Sequence, residues 1–123
     1  MLKIGKNKKE IEIKDFDSLR LCKYKSARLD VHISASIKNG CLLISGHDLG
    51  AVVEEFYDDS DYEYWYSFDI ENTKLLITRL SEQKPELNVK ELLLDIFRGE
   101  SGCSNLSDFC EKFGIKYNFS SYA

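Results

Sequence analysis

Hydrophobic and polar residues alternate most regularly between Arg28 and Gly46. Leu29, Val31, Ile33, Ala35 and Ile37 take every second position, with Arg28, Asp30, His32, Ser34 and Ser36 between them. A period of two puts the apolar set on one side of an extended chain and predicts a half-buried strand. Asn39-Gly40 follows, a dipeptide that tolerates the positive φ angles of a type I′ hairpin turn. Cys41-Leu42-Leu43-Ile44-Ser45 returns as the second strand. Pairing across the turn sets Ile37 opposite Leu42 and Ala35 opposite Ile44 on one face.

The same reading extends in both directions. Glu10-Ile11-Glu12-Ile13-Lys14 alternates charged and apolar residues and predicts a strand, with Leu2 and Ile4 as a short partner strand and Lys6 to Lys9 as the turn. Leu19 to Tyr24 suggests a further strand of poor pattern. Ser45 to Gly50 is rich in turn residues. Asp61 to Asp69 alternates again, with Tyr62, Tyr64, Tyr66 and Phe68 on one face and Asp61, Glu63, Trp65, Ser67 and Asp69 on the other. Aromatic residues favour such pleated, half-buried surfaces.

After Asp69 the period changes. Thr73, Leu75, Leu76 and Leu80 predict a helix from about Ile70 to Leu80, and Pro85 marks the loop beyond it. Asn88-Val89-Lys90-Glu91 has the spacing of a capping box, followed by an apolar face of Leu92, Leu93, Ile96 and Phe97 and a stop at Gly99. Leu106, Phe109, Cys110 and Phe113 fall at i, i+3, i+4 and i+7, with Gly114 as the stop. Ile115, Tyr117 and Phe119 alternate as a final strand. Strands, then helices, then one strand predict an α+β fold: a mainly antiparallel sheet with about three helices on one face. The 123 residues suit a single domain over 1–123.

Charge adds an asymmetry. Residues 1–40 carry ten Lys and Arg against five Asp and Glu, whereas the stretch from His47 through Glu71 carries nine acids and no Lys or Arg. A surface of this kind repels nucleic acid and attracts a basic partner. The basic N-terminal part reads as solvated edge strands, which use Lys to discourage strand addition. Exposed edges allow a monomer or a weak dimer. No apolar run approaches the ~18 residues of a membrane span, and no apolar stretch follows the charged N-terminus. The expected compartment is therefore the cytoplasm. There Cys22, Cys41, Cys103 and Cys110 are expected to be reduced and to serve as small buried hydrophobes.

Catalytic and metal motifs are missing. There is no GxSxG, no GxxxxGK[ST] and no GxGxxG. Ser45, His47 and Asp48 are near one another in sequence, but a catalytic triad is a matter of geometry. The cysteines form no CxxC pair and the histidines no HxxxH pair. An EF-hand loop started at Asp59 meets Tyr64 where Gly is required and Ile70 where Glu is required. The sequence thus predicts no enzyme, no cofactor and no metal motif, with weak cation binding as the remaining use of the acids.

The strongest chemical feature is acidic. Glu54, Glu55, Asp58, Asp59, Asp61 and Glu63 put six carboxylates in ten residues, interleaved with Tyr57, Tyr62, Tyr64, Trp65 and Tyr66. Such crowding opposes folding unless something offsets the repulsion. One account is a solvated loop beside a tyrosine-rich core strand. The other is a docking surface, in which the acids speed encounter with a basic protein and the aromatic residues slow its release. Trp65 falls on the charged face of its strand and is expected to be at least partly exposed. The candidate contact residues are Glu54, Glu55, Tyr57, Asp58, Asp59, Asp61, Glu63 and Trp65, with Tyr62, Tyr64 and Tyr66 assigned to the core.

Ser45-Gly46-His47-Asp48-Leu49-Gly50, Glu54-Glu55-Phe56 and the run Asp59 to Asp69 resemble small bacterial immunity proteins encoded beside polymorphic or contact-dependent growth-inhibition toxins. Gly102-Cys103-Ser104, Phe109-Cys110 and Phe113-Gly114-Ile115 share the resemblance, which spans roughly residues 45–119. It implies a protein that binds the C-terminal toxin domain of a sister cell and neutralises it. Many such toxins are nucleases with a basic groove, which an acidic, aromatic surface would fit. A regulatory or adaptor domain with a basic host partner is the alternative. A small hydrolase using Ser45, His47 or Asp48 is a third reading.

Overall fold

The computed structural model describes residues 11–57, 61–98 and 102–122; within these, the side chains of Phe56 and Tyr57 are not described. The alternating stretch forms the central hairpin, β2 (Asp30–Lys38) and β3 (Cys41–Leu49). Asn39 and Gly40 have φ of 54° and 80°, the double positive φ of a type I′ turn. The Asp15 carboxylate accepts their backbone N–H groups at 2.8 and 3.2 Å. Ile37 lies opposite Leu42 and Ala35 opposite Ile44, as the pattern predicts.

On one side of this hairpin runs β1 (Phe16–Lys25), and on the other runs β4 (Asp61–Ser67) followed by β5 (Asn118–Tyr122). The sheet is antiparallel in the order β1-β2-β3-β4-β5. Among the described residues there are four helices: α1 (Ala51–Tyr57), α2 (Ile70–Gln83), α3 (Val89–Ile96) and α4 (Gly102–Phe113). The architecture is α+β. Helix α1 adds one to the expected three. It follows Gly50, whose φ is 119° and whose missing side chain clears the Arg28 carbonyl.

Several expected elements differ. The turn-rich stretch from Ser45 continues β3 as far as Leu49, and the final strand starts at Asn118, not at Ile115. Residues 11–15 form no strand; Ile11 and Ile13 pack against the core without a ladder, so their alternation marks a buried side and not a hydrogen-bonded pairing. Strand β1 has register shifts on both sides of Leu19-Arg20, and such bulges erase the period of two. The expected Leu2–Ile4 strand and the Gly99 stop lie outside the described residues.

Helices α2 to α4 connect β4 to β5. Asp69 caps α2 by accepting from Asn72 N, and this bond holds its carboxyl below the usual carboxylate range. Asn88 and Glu91 form a reciprocal capping box at the start of α3. Gly114, at φ 69°, ends α4. Leu76, Ile77 and Leu80 of α2, Leu92, Leu93 and Ile96 of α3, and Leu106 and Cys110 of α4 join Ile33, Ala35, Ile37, Leu42, Ile44, Tyr64 and Tyr66 of the sheet in one buried cluster. Thr73 Oγ1 ties α2 to β3 by accepting from Leu42 N at 3.0 Å. Among the described residues, no helix is long and apolar enough to cross a membrane.

Candidate docking face of the sheet

Because strand side chains alternate, burying one face leaves the other available. The buried positions of β2, β3 and β4 are Ile33, Ala35, Ile37, Leu42, Ile44, Gly46, Tyr64 and Tyr66, all on the helix-covered side. The opposite side is polar, and its register forms rows. Lys23, His32, His47, Glu63 and Tyr122 pair in turn across all five strands. On one side of that row lie Arg20, Ser34, Ser45, Trp65 and Ser120, and on the other Lys25, Asp30, Leu49 and Asp61. Charge therefore grades from basic on β1 to acidic on β4. An open cavity of about 480 Å³ lies on this face, its lining including Arg20, His32, Ser45, His47, Glu63 and Trp65.

The expected contact residues divide. Trp65 is partly exposed on this face, with Glu63 two residues before it and Asp61 four before it. Their ion-pair partner is His47, whose Nε2 contacts Asp61 and lies 4.0 Å from Glu63 Oε2. Glu54 and Glu55 are exposed on α1, away from the strand ladder, and Glu55 pairs with Arg28. Asp58 and Asp59 lie outside the described residues, as does the side chain of Tyr57. As expected, Tyr64 and Tyr66 are buried, and Tyr62 packs partly against the core.

Ser45 and His47 point to the open side, while Asp48 points to the helix side and accepts a hydrogen bond from the Tyr64 hydroxyl at 3.2 Å. Ser45 and His47 therefore share one face of the sheet, and Asp48 lies on the other. Burial raises the Asp48 carboxyl above its ordinary value, against the Tyr64 hydrogen bond and the His47 charge.

Sequence reasoning missed the surroundings of Asp48. Burial pushes the thiol of Cys103 above its ordinary value, although the Tyr66 and Tyr64 hydroxyls favour the thiolate. Cys22 is raised by burial and then by the Asp48 charge, and Cys110 is pushed by burial up to about 11. Raised thiols stay protonated and are poor nucleophiles. Of the four cysteines only Cys110 is buried; Cys22, Cys41 and Cys103 are partly so, which corrects the expectation of four buried ones. The signal for this cluster was Gly46 in mid-strand: a Cβ there would fall within the Tyr64 ring, so the glycine exists to admit the tyrosine. No family model, curated protein or solved structure matches the chain.

Proposed function

We propose that this chain is a non-catalytic inhibitor of the immunity type, which binds a cognate toxin domain through the open face of its sheet. Trp65 carries the reading. It is a partly exposed indole in the row next to Glu63, on the face away from the helices. Tryptophan is among the residues most enriched at interface hot spots. Asp61 and Glu63 would steer a basic partner, such as the substrate groove of a nuclease, toward the β4 side. The lysines and arginine of β1 would disfavour the reverse orientation. Of the six carboxylates, Glu55 is already paired with Arg28.

The test is co-expression with the toxin domain encoded beside it, scored by growth and by co-purification. Wild type should restore growth and hold the toxin in a stable complex. Trp65→Ala should weaken that complex by about 2 kcal/mol or more, roughly 30-fold. Asp61→Lys with Glu63→Lys should slow association and reverse its salt dependence. Full neutralisation by a folded triple variant carrying all three changes would overturn the reading.

A further inference from the structure

We propose that His47, Asp61 and Glu63 form a binding site for one divalent first-row transition-metal ion, with Zn²⁺ or Co²⁺ as suitable occupants. Each side chain offers one ligand atom, and all three atoms lie within 4.8 Å of one another. Two features of the fold bring them together. Asp61 and Glu63 are two residues apart on β4, which puts them on one face, and His47 on β3 pairs directly with Glu63. Donors bound to one such ion at about 2.0–2.2 Å stand roughly 3–4 Å apart. The 4.0 Å between His47 Nε2 and Glu63 Oε2 is already in that range, and half-exposed side chains of 37–52% accessibility can adjust the rest.

Charge and donor type select the ion. Among the described residues, neither Asp61 nor Glu63 has an ion pair with Lys or Arg, so the two carboxylates face one imidazole. A dication balances them. The imidazole favours a transition metal over Mg²⁺ or Ca²⁺, which prefer oxygen donors. His32 stands opposite His47 but turns its Nε2 to Asp30 Oδ1 at 3.0 Å, so it borders the site and does not complete it. Three protein donors leave coordination positions open, and the cavity lined by His47 and Glu63 gives water or a ligand access to them. The separation of residue 47 from 61 and 63 is why no metal spacing is visible in the sequence.

All three residues lie on the docking face, but the site does not rest on the immunity reading, and its test uses no partner. The purified chain, with its thiols reduced, is titrated with Co²⁺ and Zn²⁺ by equilibrium dialysis and absorption spectroscopy, and with Mg²⁺ by dialysis. One equivalent should bind, with a Co²⁺ spectrum free of a thiolate charge-transfer band. His47→Ala and Glu63→Gln should each lower affinity at least about ten-fold, the loss that even an outer-shell change can cause. His32→Ala should retain binding, and circular dichroism confirms that the variants fold. Absence of saturable binding, binding unchanged in folded His47→Ala, a thiolate band, or equal affinity for Mg²⁺ would overturn the proposal.

Discussion

The two faces of this sheet are made from the same strands yet differ in almost every physical respect. On the helix side, Ile37, Leu42 and Ile44 are sealed beneath α2 to α4. On the open side, the alternate residues of those strands are Ser34, Ser36, Ser45 and His47, all partly exposed. One face is packed under the helices and the other is open to solvent. Two polar groups on the buried side, Thr73 and Asp48, show what admission to that side requires. Thr73 is fully buried and accepts from Leu42 N, and Asp48 accepts from the Tyr64 hydroxyl.

Substitutions can break this contrast. The largest effect is expected from Leu93→Ala on the buried side, where removing a fully buried side chain should cost about 2–5 kcal/mol in urea denaturation. Thr73→Val keeps the shape but leaves the buried Leu42 N–H without its acceptor, for a loss of about 1–3 kcal/mol. Asp48→Asn sharpens the comparison through pH. Burial holds the Asp48 carboxyl above its ordinary value, so its ionised form opposes folding. That opposition is absent below the unfolded value, about 3.9, builds as pH rises above it and is complete above the raised folded value. Asp48→Asn should therefore raise the urea midpoint at pH 7, and the gain should vanish below about pH 4. The smallest change belongs to the open side. Trp65→Ala, so damaging to the proposed complex, should alter stability by only about 0.2–1 kcal/mol, the scale of a cross-strand pair. A loss at Trp65 as large as that at Leu93 would mean that both faces serve the core.

The candidate site was legible in part. Trp65, Asp61 and Glu63 could be placed together on one face of a strand because their spacing is even. The position of Glu54 and Glu55 was not legible, because no pattern at Ala51–Tyr57 announced a helix as short as α1, and that helix carries them off the strand. Ser45, His47 and Asp48 are near one another in sequence but not on one face. An odd spacing in a strand separates neighbours by the thickness of the sheet, and Asp48 ends on the helix side with Tyr64. The basic β1 and the acidic β4 looked like separate regions of the chain, yet Lys23 and Glu63 lie in one row.

What the sequence by itself determined is local. The β2–β3 hairpin, its Asn39-Gly40 turn, the Asn88 capping box and the Gly114 stop all arise between residues a few positions apart, where backbone preference and side-chain period act directly. Tertiary structure alone decided the rows. His47 meets Glu63 because of the β3–β4 register, Tyr122 reaches Glu63 only after three helices have returned the chain to the sheet, and Gly46 is explained only by Tyr64 on the neighbouring strand. Those pairings depend on which apolar face is buried and in which register. Burial is a property of the packed whole, so no short stretch of the chain could have contained it.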